Sequence, residues 1–168
     1  MSDSISDHNG LTYDGSNIRK ADLKKTNLRN ADLEGANLIQ ANLINADMIK
    51  ANLKGANLKE AHLEGADLDW ANLSKANLVR CYLASADLIG ANLEEANLFR
   101  ADLCNANFAD ANLLNANLAE ANLKGAENLT VDQLSKVKTL YGAKLDEKLL
   151  DKLKKEYPVL FELPLQNE

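Results

Sequence analysis

Side chains that commonly carry chemistry are few in this sequence and far apart along the chain. There are two histidines, His8 and His62, and two cysteines, Cys81 and Cys104. No second ligand lies at metal-binding spacing from either histidine, so neither a zinc site nor a nucleophile–base pair can be assembled. The sequence also lacks a glycine-rich phosphate loop and a nucleophile elbow. We therefore predict that the protein is not an enzyme and that it binds no cofactor and no metal.

The elements that must position every other side chain are built from one five-residue unit, Ala-(Asn/Asp)-Leu-x-x. The unit repeats from Ser16 to Gly125 without an insertion or deletion, and these 110 residues hold 22 units. On an α-helix, residues five apart are rotated by roughly 140° from each other, so the leucines would not form one apolar stripe. On a continuous strand, an odd period would send alternate leucines to opposite faces. The period therefore excludes both structures.

A very short extended segment followed by a bend satisfies the pattern. Ala21 and Leu23 then point inward, while Asp22 between them points outward. Six of the eight glycines occupy the slot two residues after the central leucine, where a tight turn with positive φ would favour them: Gly15, Gly35, Gly55, Gly65, Gly90 and Gly125. The repeat contains no proline, as expected where backbone N–H groups pair with a neighbouring coil. The pattern predicts a stacked solenoid.

The run Ala-Asp-Leu-Glu-Gly-Ala-Asn-Leu at Ala31 to Leu38, with its close copy at Ala51 to Leu58, resembles the pentapeptide-repeat proteins. The resemblance covers about two-thirds of the chain. It implies an all-β fold, a right-handed quadrilateral β-helix with four units per coil, so that 22 units form about 5.5 coils. Departures from the unit keep its chemistry, because small residues fill the inward alanine slots and apolar residues fill the central ones: Ser16, Thr26, Cys81, Ile18, Met48 and Phe108.

The two ends of the chain differ from the repeat, and we divide one domain into three parts. Residues 1–15 form an N-terminal segment, in which Leu11-Thr-Tyr-Asp-Gly has the spacing of a degenerate first unit. Residues 16–126 form the pentapeptide-repeat β-helix. Residues 127–168 form a C-terminal helical cap and tail. The arrangement of this last part resembles the helical tails of several bacterial, notably cyanobacterial, pentapeptide-repeat proteins.

Two short α-helices are predicted in the cap. Thr130-Val-Asp-Gln133 is a capping-box pattern that opens a helix of about two turns. A turn through Tyr141-Gly142 follows. Asp146 is placed to N-cap a second helix over roughly 147–156, and Pro158 ends it. These helices would cover an otherwise open sheet edge.

The apolar residues of the cap have a second interpretation, which is self-association. The segment from Val159 to Leu165 is too apolar for a free tail, so it packs either on the helices or on a second protomer. A two-fold homodimer would use four candidate residues: Leu149, Leu153, Leu160 and Phe161.

With four units per coil, residues 20 apart stack about 4.8 Å from each other, and outward columns can be followed along the sequence. One column stacks Asp47, Asp67 and Asp87, with Asp69 close by. Carboxylates so near should repel each other. An Asp in this slot can also accept hydrogen bonds from its own turn. The column is therefore either turn chemistry or an acidic stripe that binds a divalent cation or a protein.

Aromatic side chains in outward slots are rare. Trp70 projects from the edge of the acidic face, and a lone exposed Trp is either a contact residue or incidental. Another column places His62 beside Tyr82, which we interpret as a surface ring pair.

An apolar column is the main candidate for a contact surface. Ile39, Val79 and Phe99 share one outward column and lie beside Arg80 and Arg100. Isolated surface aliphatics are normal. A column of them flanked by arginines has the composition of an interface centre, so it is either a binding surface or an accident of sequence.

Charge and hydropathy narrow the class of protein. The net charge is −6, with 46% hydrophobic and 26% charged residues, which is typical of a soluble globular chain. No apolar run approaches a membrane span, and the N-terminal residues do not resemble a secretory signal. We expect a cytoplasmic location, no membrane contact and no direct nucleic-acid binding.

These observations predict a non-enzymatic, regulatory protein-interaction scaffold that presents rigid outer walls to a protein partner. The alternative follows from the resemblance, since some pentapeptide-repeat proteins mimic DNA and bind DNA gyrase. That mechanism needs a strongly negative rod. The repeat carries 12 basic and 14 acidic residues, a net charge of only −2. DNA mimicry would use Asp47, Asp67 and Asp87.

Overall fold

The structure of the protein is a computed structural model that describes residues 7–163. In each five-residue unit, the residue before the central one makes a single parallel bridge to the residue 20 positions later. These bridges run without a break from Asp7↔Asn27 to Asn107↔Glu127. Four units therefore make one coil of a square β-helix. The bridges are isolated and do not extend into longer strands, because the chain turns immediately after each one.

The turn lies where the glycine pattern predicts it. The slot two residues after the central one has a positive φ in every unit from Ser16 to Gly125, for example 65° at Gly35, 59° at Trp70 and 55° at Arg80. Valine, isoleucine and threonine never occupy this slot in the repeat. Branched β-carbons tolerate the left-handed region poorly, so their absence has a steric reason.

Two sets of hydrogen bonds join the coils. In the backbone set, the central Leu53 donates its N–H to the carbonyl of Asn72 at 2.7 Å, and Asn72 donates back to Ala51 at 2.9 Å. In the side-chain set, Oδ1 of Asn97 accepts from the N–H of Phe99 at 3.2 Å and from Nδ2 of Asn117 at 3.0 Å. The Asn/Asp slot thus stabilises its own turn and the contact with the next coil.

The core is a stack of leucines and alanines that are almost completely buried from Leu28 to Leu123. The residues that depart from the five-residue consensus also fit within this core. Phe108 and Met48 replace leucine and are fully buried. Cys81 replaces alanine, and its burial raises the pKa of the thiol well above its ordinary value. Cys104 is a half-exposed free cysteine in an outward slot.

The C-terminal part contains helix α1 (Val131–Leu134), helix α2 (Glu147–Glu156) and a 3₁₀ helix (Pro158–Phe161). The capping box at Thr130 is present, as predicted, with Gln133 as its partner. Helix α1 has one turn where two are predicted, because the following backbone returns to the solenoid. Among residues 7–163, no helix is long and apolar enough to cross a membrane.

Between the two helices, the chain adds two further units to the stack. Asn117 bridges to Thr139, and Asn122 bridges to Lys144, so the offset here is 22 residues. Leu140 and Leu145 are buried above the central leucines of the last repeat units. The ladder therefore continues past the point where the sequence pattern stops.

The exposed edge of this last coil is closed by side chains and by the 3₁₀ helix. Nε2 of Gln133 donates to the carbonyl of Phe108 at 2.8 Å, and the N–H of Leu140 donates to the carbonyl of Leu160 at 2.6 Å. The carboxylate of Asp146 accepts from the N–H of Gly125 at 3.2 Å and makes no cap hydrogen bond to α2. Asp146 is the N-cap residue of α2, as predicted, but its carboxylate binds the solenoid edge and not the helix N-terminus.

Candidate protein-contact surface

The square β-helix has four sides, and one of them concentrates the apolar and basic residues. We call it the apolar–basic face. It is formed by the units whose central residues are Ile18, Leu38, Leu58, Leu78, Leu98, Leu118 and Leu140. We call the opposite side the acidic face. Its central residues are His8, Leu28, Met48, Leu68, Leu88 and Phe108, and it ends with Glu127, which bridges to Asn107.

The first outward column of the apolar–basic face contains the predicted apolar residues. Ile39, Val79 and Phe99 lie in register there and are each half-buried. Exposed Lys59 separates Ile39 from the other two. Beyond Phe99, the column continues through buried Ala119 to half-buried Tyr141. The continuous apolar part of the column is therefore its C-terminal half.

The two arginines beside this column differ in their partners. The guanidinium carbon of Arg100 lies 4.8 Å from the centroid of the Phe99 ring, and its Nε lies 2.6 Å from Oε2 of Glu120. Glu120 raises the pKa of Arg100 through this hydrogen bond and through its charge. Arg80 is exposed and forms no ion pair within residues 7–163. Its charge therefore remains available on this face.

An apolar pocket of about 270 Å³ lies at the C-terminal end of the column. Its walls include Phe99, Ala119, Tyr141 and Leu163, and Lys138 lies at its rim together with Asn117, Glu120 and Thr139. This pocket does not follow from the repeat pattern of the sequence. Tyr141 and Lys138 join the face only through the 22-residue offset, which the five-residue repeat does not reveal.

Charge is sorted between the sides of the solenoid. The apolar–basic face has six basic and two acidic residues, which leaves +4: Arg19, Lys20, Lys59, Arg80, Arg100, Lys138, Glu60 and Glu120. The acidic face has two basic and seven acidic residues, which leaves −5: Arg29, Lys50, Asp7, Asp47, Asp67, Asp69, Asp87, Asp110 and Glu127. The near-neutral total of the repeat hides this separation.

The predicted acidic stripe is present as a column on the acidic face. Asp47, Asp67 and Asp87 are joined by successive bridges. Arg29 compensates Asp47, with Nε at 2.6 Å from Oδ2. Asp67 accepts a hydrogen bond from the N–H of Asp69 at 3.2 Å, which is the turn interaction expected of this slot.

Two carboxyl groups of the stripe are shifted toward the protonated form. Burial is the largest cause that raises the pKa of Asp67, and the charges of Asp47 and Asp87 add to it. Burial also raises the pKa of Asp69, with Asp67 and Asp87 as further causes. No group of three or more His, Cys, Asp or Glu side chains within residues 7–163 could hold a metal ion.

Trp70 lies at the edge of the acidic face and is 59% exposed. Its indole covers Gly90, the residue in the same slot of the next coil. Trp70 is on the opposite side of the solenoid from Phe99, so the two residues do not form one surface.

The predicted ring pair is close, because the rings of His62 and Tyr82 are nearly parallel, with centroids 4.6 Å apart. Nδ1 of His62 lies 3.2 Å from Oε1 of Glu64. The contact between His62 and Glu64 was not predicted. Its two-residue spacing is the same as that of the turn hydrogen bonds that Asn and Asp side chains accept.

The four candidate self-association residues are not equally accessible. Leu149, Leu160 and Phe161 are half-buried against the core, whereas Leu153 is 0% exposed. The proposed role of Leu153 in a second interface is therefore wrong, because helix α2 turns this side chain into the protein's own core. Val159 and Leu163 are the exposed apolar residues of this region, at 71% and 68%. Pro164 and Leu165, the last residues of the predicted apolar segment, lie outside the described residues.

Comparison with known proteins identifies the repeat. The sequence model described as Pentapeptide repeats matches in eight copies, over residues 14–35, 26–65, 36–74, 61–98 and 96–127. No curated protein matches the chain.

Solved structures of similar proteins include HetL, a pentapeptide repeat protein involved in heterocyst differentiation regulation from the cyanobacterium Nostoc sp. strain PCC 7120. HetL is 35% identical with a TM-score of 0.46, and the match covers 83% of this chain and 65% of HetL. Rfr23 from the cyanobacterium Cyanothece 51142 is 38% identical with a TM-score of 0.49, and the match covers 60% of each chain. A trypsin-treated form of QnrB1, a plasmid-mediated fluoroquinolone resistance protein, is 23% identical with a TM-score of 0.38, over 87% of this chain and 89% of that one.

The chain thus spans less than two-thirds of the length of HetL and of Rfr23. The family match itself extends over residues 14–127, which is more than half of the 168 residues. It agrees with the 20-residue ladder and implies a right-handed β-helix solenoid, here followed by two short helices. The chain belongs to the pentapeptide-repeat family.

Proposed function

We propose that the protein is a non-enzymatic, regulatory scaffold of the cytoplasm that binds a protein partner through its apolar–basic face. One observation carries this proposal. Val79, Phe99 and Tyr141 form an outward apolar column that ends in the pocket beside Leu163, and the column is flanked by Arg80 and Arg100. Apolar residues with arginine are the composition of interface centres.

The solenoid gives such a surface a physical advantage. Inside the stack, successive backbone groups are hydrogen-bonded to the coils on both sides: the N–H of Asn97 donates to the carbonyl of Ala76 at 2.9 Å, and the N–H of Leu98 donates to the carbonyl of Asn117 at 2.8 Å. Binding to this wall of about 5.5 coils therefore costs little conformational entropy, because the wall is already ordered. We place the whole interaction domain in residues 16–126 together with the cap at 127–168.

The depressions of the surface support a binding role more than catalysis. Two of them, of about 570 and 530 Å³, are open and are lined by alanine and leucine together with amide, hydroxyl, carboxylate and ammonium side chains. Neither is lined by histidine or cysteine in the described part of the chain. The Asp, Glu and Lys side chains that line them are exposed, and Lys136 is paired with Asp132 at 2.8 Å, so the described lining of these two depressions holds no activated nucleophile–base pair.

Site-specific photo-cross-linking in the native host tests the proposal. A photoreactive residue replaces exposed Lys59 on the apolar–basic face or, as the matched control, exposed Lys50 on the acidic face. We expect a discrete cross-linked protein from position 59 alone, and its loss in the Val79→Glu/Phe99→Glu double variant. Circular dichroism checks that the double variant folds. If that variant retains every cross-linked partner, the apolar column is only surface.

DNA mimicry toward a topoisomerase such as gyrase is the second candidate, and the acidic face favours it. This side carries a net charge of −5, and Asp47, Asp67 and Asp87 form a regular column along it. Against it, Arg29 compensates Asp47, and the opposite side of the same rod is positive. A DNA-supercoiling assay with gyrase decides the question. Inhibition that Asp67→Asn/Asp87→Asn abolishes supports mimicry, and no inhibition at a large molar excess of the protein removes it.

A homodimer through the cap is a competing use of apolar surface. The residues that favour it are Val159 and Leu163, because they are the most exposed large apolar side chains of the described chain. Light scattering of the unmodified chain and of the Val159→Asp/Leu163→Asp variant tests this association. A dimer that persists in the variant would place the interface elsewhere.

A further inference from the structure

The charge of the apolar–basic face indicates the chemistry of its occupant. Resting on the function proposed above, we propose that this face binds an acidic protein segment that carries an apolar anchor. The carboxylates of the segment face Arg80 and Lys138, and its apolar side chain enters the pocket beside Phe99 and Tyr141.

The charge of the apolar–basic face is opposite in sign to that of the whole chain. The apolar–basic face carries +4 on a chain whose total is −6, so the remainder of the molecule is strongly negative. An acidic segment is attracted to this side and repelled by the acidic face opposite. Complementary charge of this kind orients an encounter and rejects partners of the wrong sign.

The cations near the continuous apolar part of the column differ in whether they already have a carboxylate partner. Arg100 is already held by Glu120 at 2.6 Å and covers the Phe99 ring. Arg80 and Lys138 form no ion pair with another described residue. Arg80 lies beside Val79, and Lys138 lies at the rim of the pocket. Two unpaired cations therefore flank the continuous apolar part of the column, and a carboxylate can pair with each.

The pocket at the end of the column is small. Its volume of about 270 Å³ falls below the roughly 300 to 1,000 Å³ that sites for small organic ligands occupy. Phe99, Ala119 and Leu163 line it, so a single apolar side chain fits its chemistry. One apolar side chain with several carboxylates around it is a feature of an acidic peptide and not of an inorganic anion.

A nucleic acid fits this face less well, although it also carries negative charge. The ring of Phe99 is covered by Arg100 at 4.8 Å, so it is not free to stack on a base. Half-buried Val79 offers nothing to a phosphate backbone, and the hydroxyl of half-buried Tyr141 is the one polar group in the apolar part of the column. Single-stranded nucleic acids depend on such stacking for their affinity.

Short fluorescent peptides and the full chain provide the test. The probe is a peptide of Glu and Asp residues around one Leu. Its controls are a peptide of Lys and Arg around one Leu, an acidic peptide with Ser in place of Leu, and a short DNA duplex. We expect saturable binding of the acidic Leu peptide by fluorescence anisotropy, with NMR shifts at the amides of Phe99, Lys138 and Tyr141. The Ser peptide should bind about tenfold more weakly.

Charge-reversed variants identify the face. Arg80→Glu and Lys138→Glu should each weaken the acidic Leu peptide by about tenfold, because each places a like charge against a carboxylate. Lys50→Glu, an equal change of charge on the acidic face, should leave the affinity within about twofold. The inference is overturned if the acidic peptide does not bind, if the basic peptide binds equally well, if Lys50→Glu weakens binding as much, or if the duplex binds more tightly at the same amides.

The result separates this inference from the proposed function. If the peptides fail while the cross-link from position 59 is still lost in the Val79→Glu/Phe99→Glu variant, the scaffold stands and the acidic partner is wrong. If the peptides bind as expected while no protein is cross-linked in the host, the chemistry of the face stands and the scaffold role is wrong.

Discussion

The indole of Trp70 covers Gly90 so closely that a β-carbon added to Gly90 would lie 2.5 Å from Cε3 of the ring. Both residues occupy the turn slot, one coil apart. The missing side chain at Gly90 is what allows the ring to lie along the wall of the solenoid. Because Trp70 is the only tryptophan of the chain, its fluorescence reports on this contact alone.

We expect Gly90→Ala to displace the indole and to shift the emission of Trp70. The substitution also places Ala at a φ of +63°, where a side chain is strained. Gly55→Ala is the matched control, since its φ is +64° and no atom lies within 4 Å of the added carbon. The control should cost about 1 kcal/mol of unfolding free energy and leave the emission unchanged. Unchanged emission in Gly90→Ala would show that the ring is not held on the glycine.

The carboxyl of Asp67 makes the stability of the fold depend on pH. Burial, with Asp47 and Asp87 nearby, raises its pKa in the folded state above the ordinary value of 3.8. The folded state then binds a proton more readily than the unfolded chain. The contribution of Asp67 to the free energy of unfolding should therefore rise as pH falls through the raised pKa, and this gain should be complete only below pH 3.8.

Asp67→Asn should remove this contribution, because Asn keeps the acceptor for the turn and carries no charge. Urea unfolding across the acidic range should show a variant that is more stable than the unmodified chain near neutral pH and gains less on acidification. Asp22→Asn changes the same slot on another side and serves as the control. Equal effects of both substitutions would mean that the acidic column is not the cause.

The Asn/Asp slot can be tested at Asn97. Its Oδ1 accepts from the N–H of Phe99 and from Nδ2 of Asn117, so Asn97→Ala leaves two half-buried donors without this partner. We expect a loss of about 1 to 2 kcal/mol of unfolding free energy. Asn97→Asp keeps the acceptor, and Asp is found in the same slot at Asp102. The Asp variant should therefore lose less than the Ala variant, and the reverse order in urea unfolding would contradict the role of this oxygen.

The repeat predicts the solenoid because every unit must satisfy the same constraint. The inward direction of Cys81, the turn slot of the glycines and the neighbourhood of His62 and Tyr82 follow from the period and the four-unit coil. These features are local or are fixed by a constant offset. The one-turn length of α1 was not predictable in this way, because the last coil competes for the backbone that would continue the helix.

The candidate site was only partly predictable for the same reason. Val79 and Phe99 lie in a column that the period defines. Tyr141 and Lys138 join it after the offset changes from 20 to 22 residues, which depends on how the cap folds back. The charge of the face was also hidden, because the total over the repeat averages sides of opposite sign. Counting charges by side, with the coil length known, would have found it.

Leu153 belongs to the buried packing of the cap, whereas Val159 belongs to its exposed surface. Leu153 is completely buried, so Leu153→Ala should leave a cavity and cost about 2 to 5 kcal/mol of unfolding free energy. Val159 is 71% exposed, and Val159→Ala should change that free energy by no more than about 0.5 kcal/mol. Urea unfolding of both variants, at concentrations where light scattering shows one oligomeric state, provides the measurement. A larger loss for Val159→Ala than for Leu153→Ala would mean that Val159 is covered in solution by groups outside residues 7–163, such as those of a second molecule.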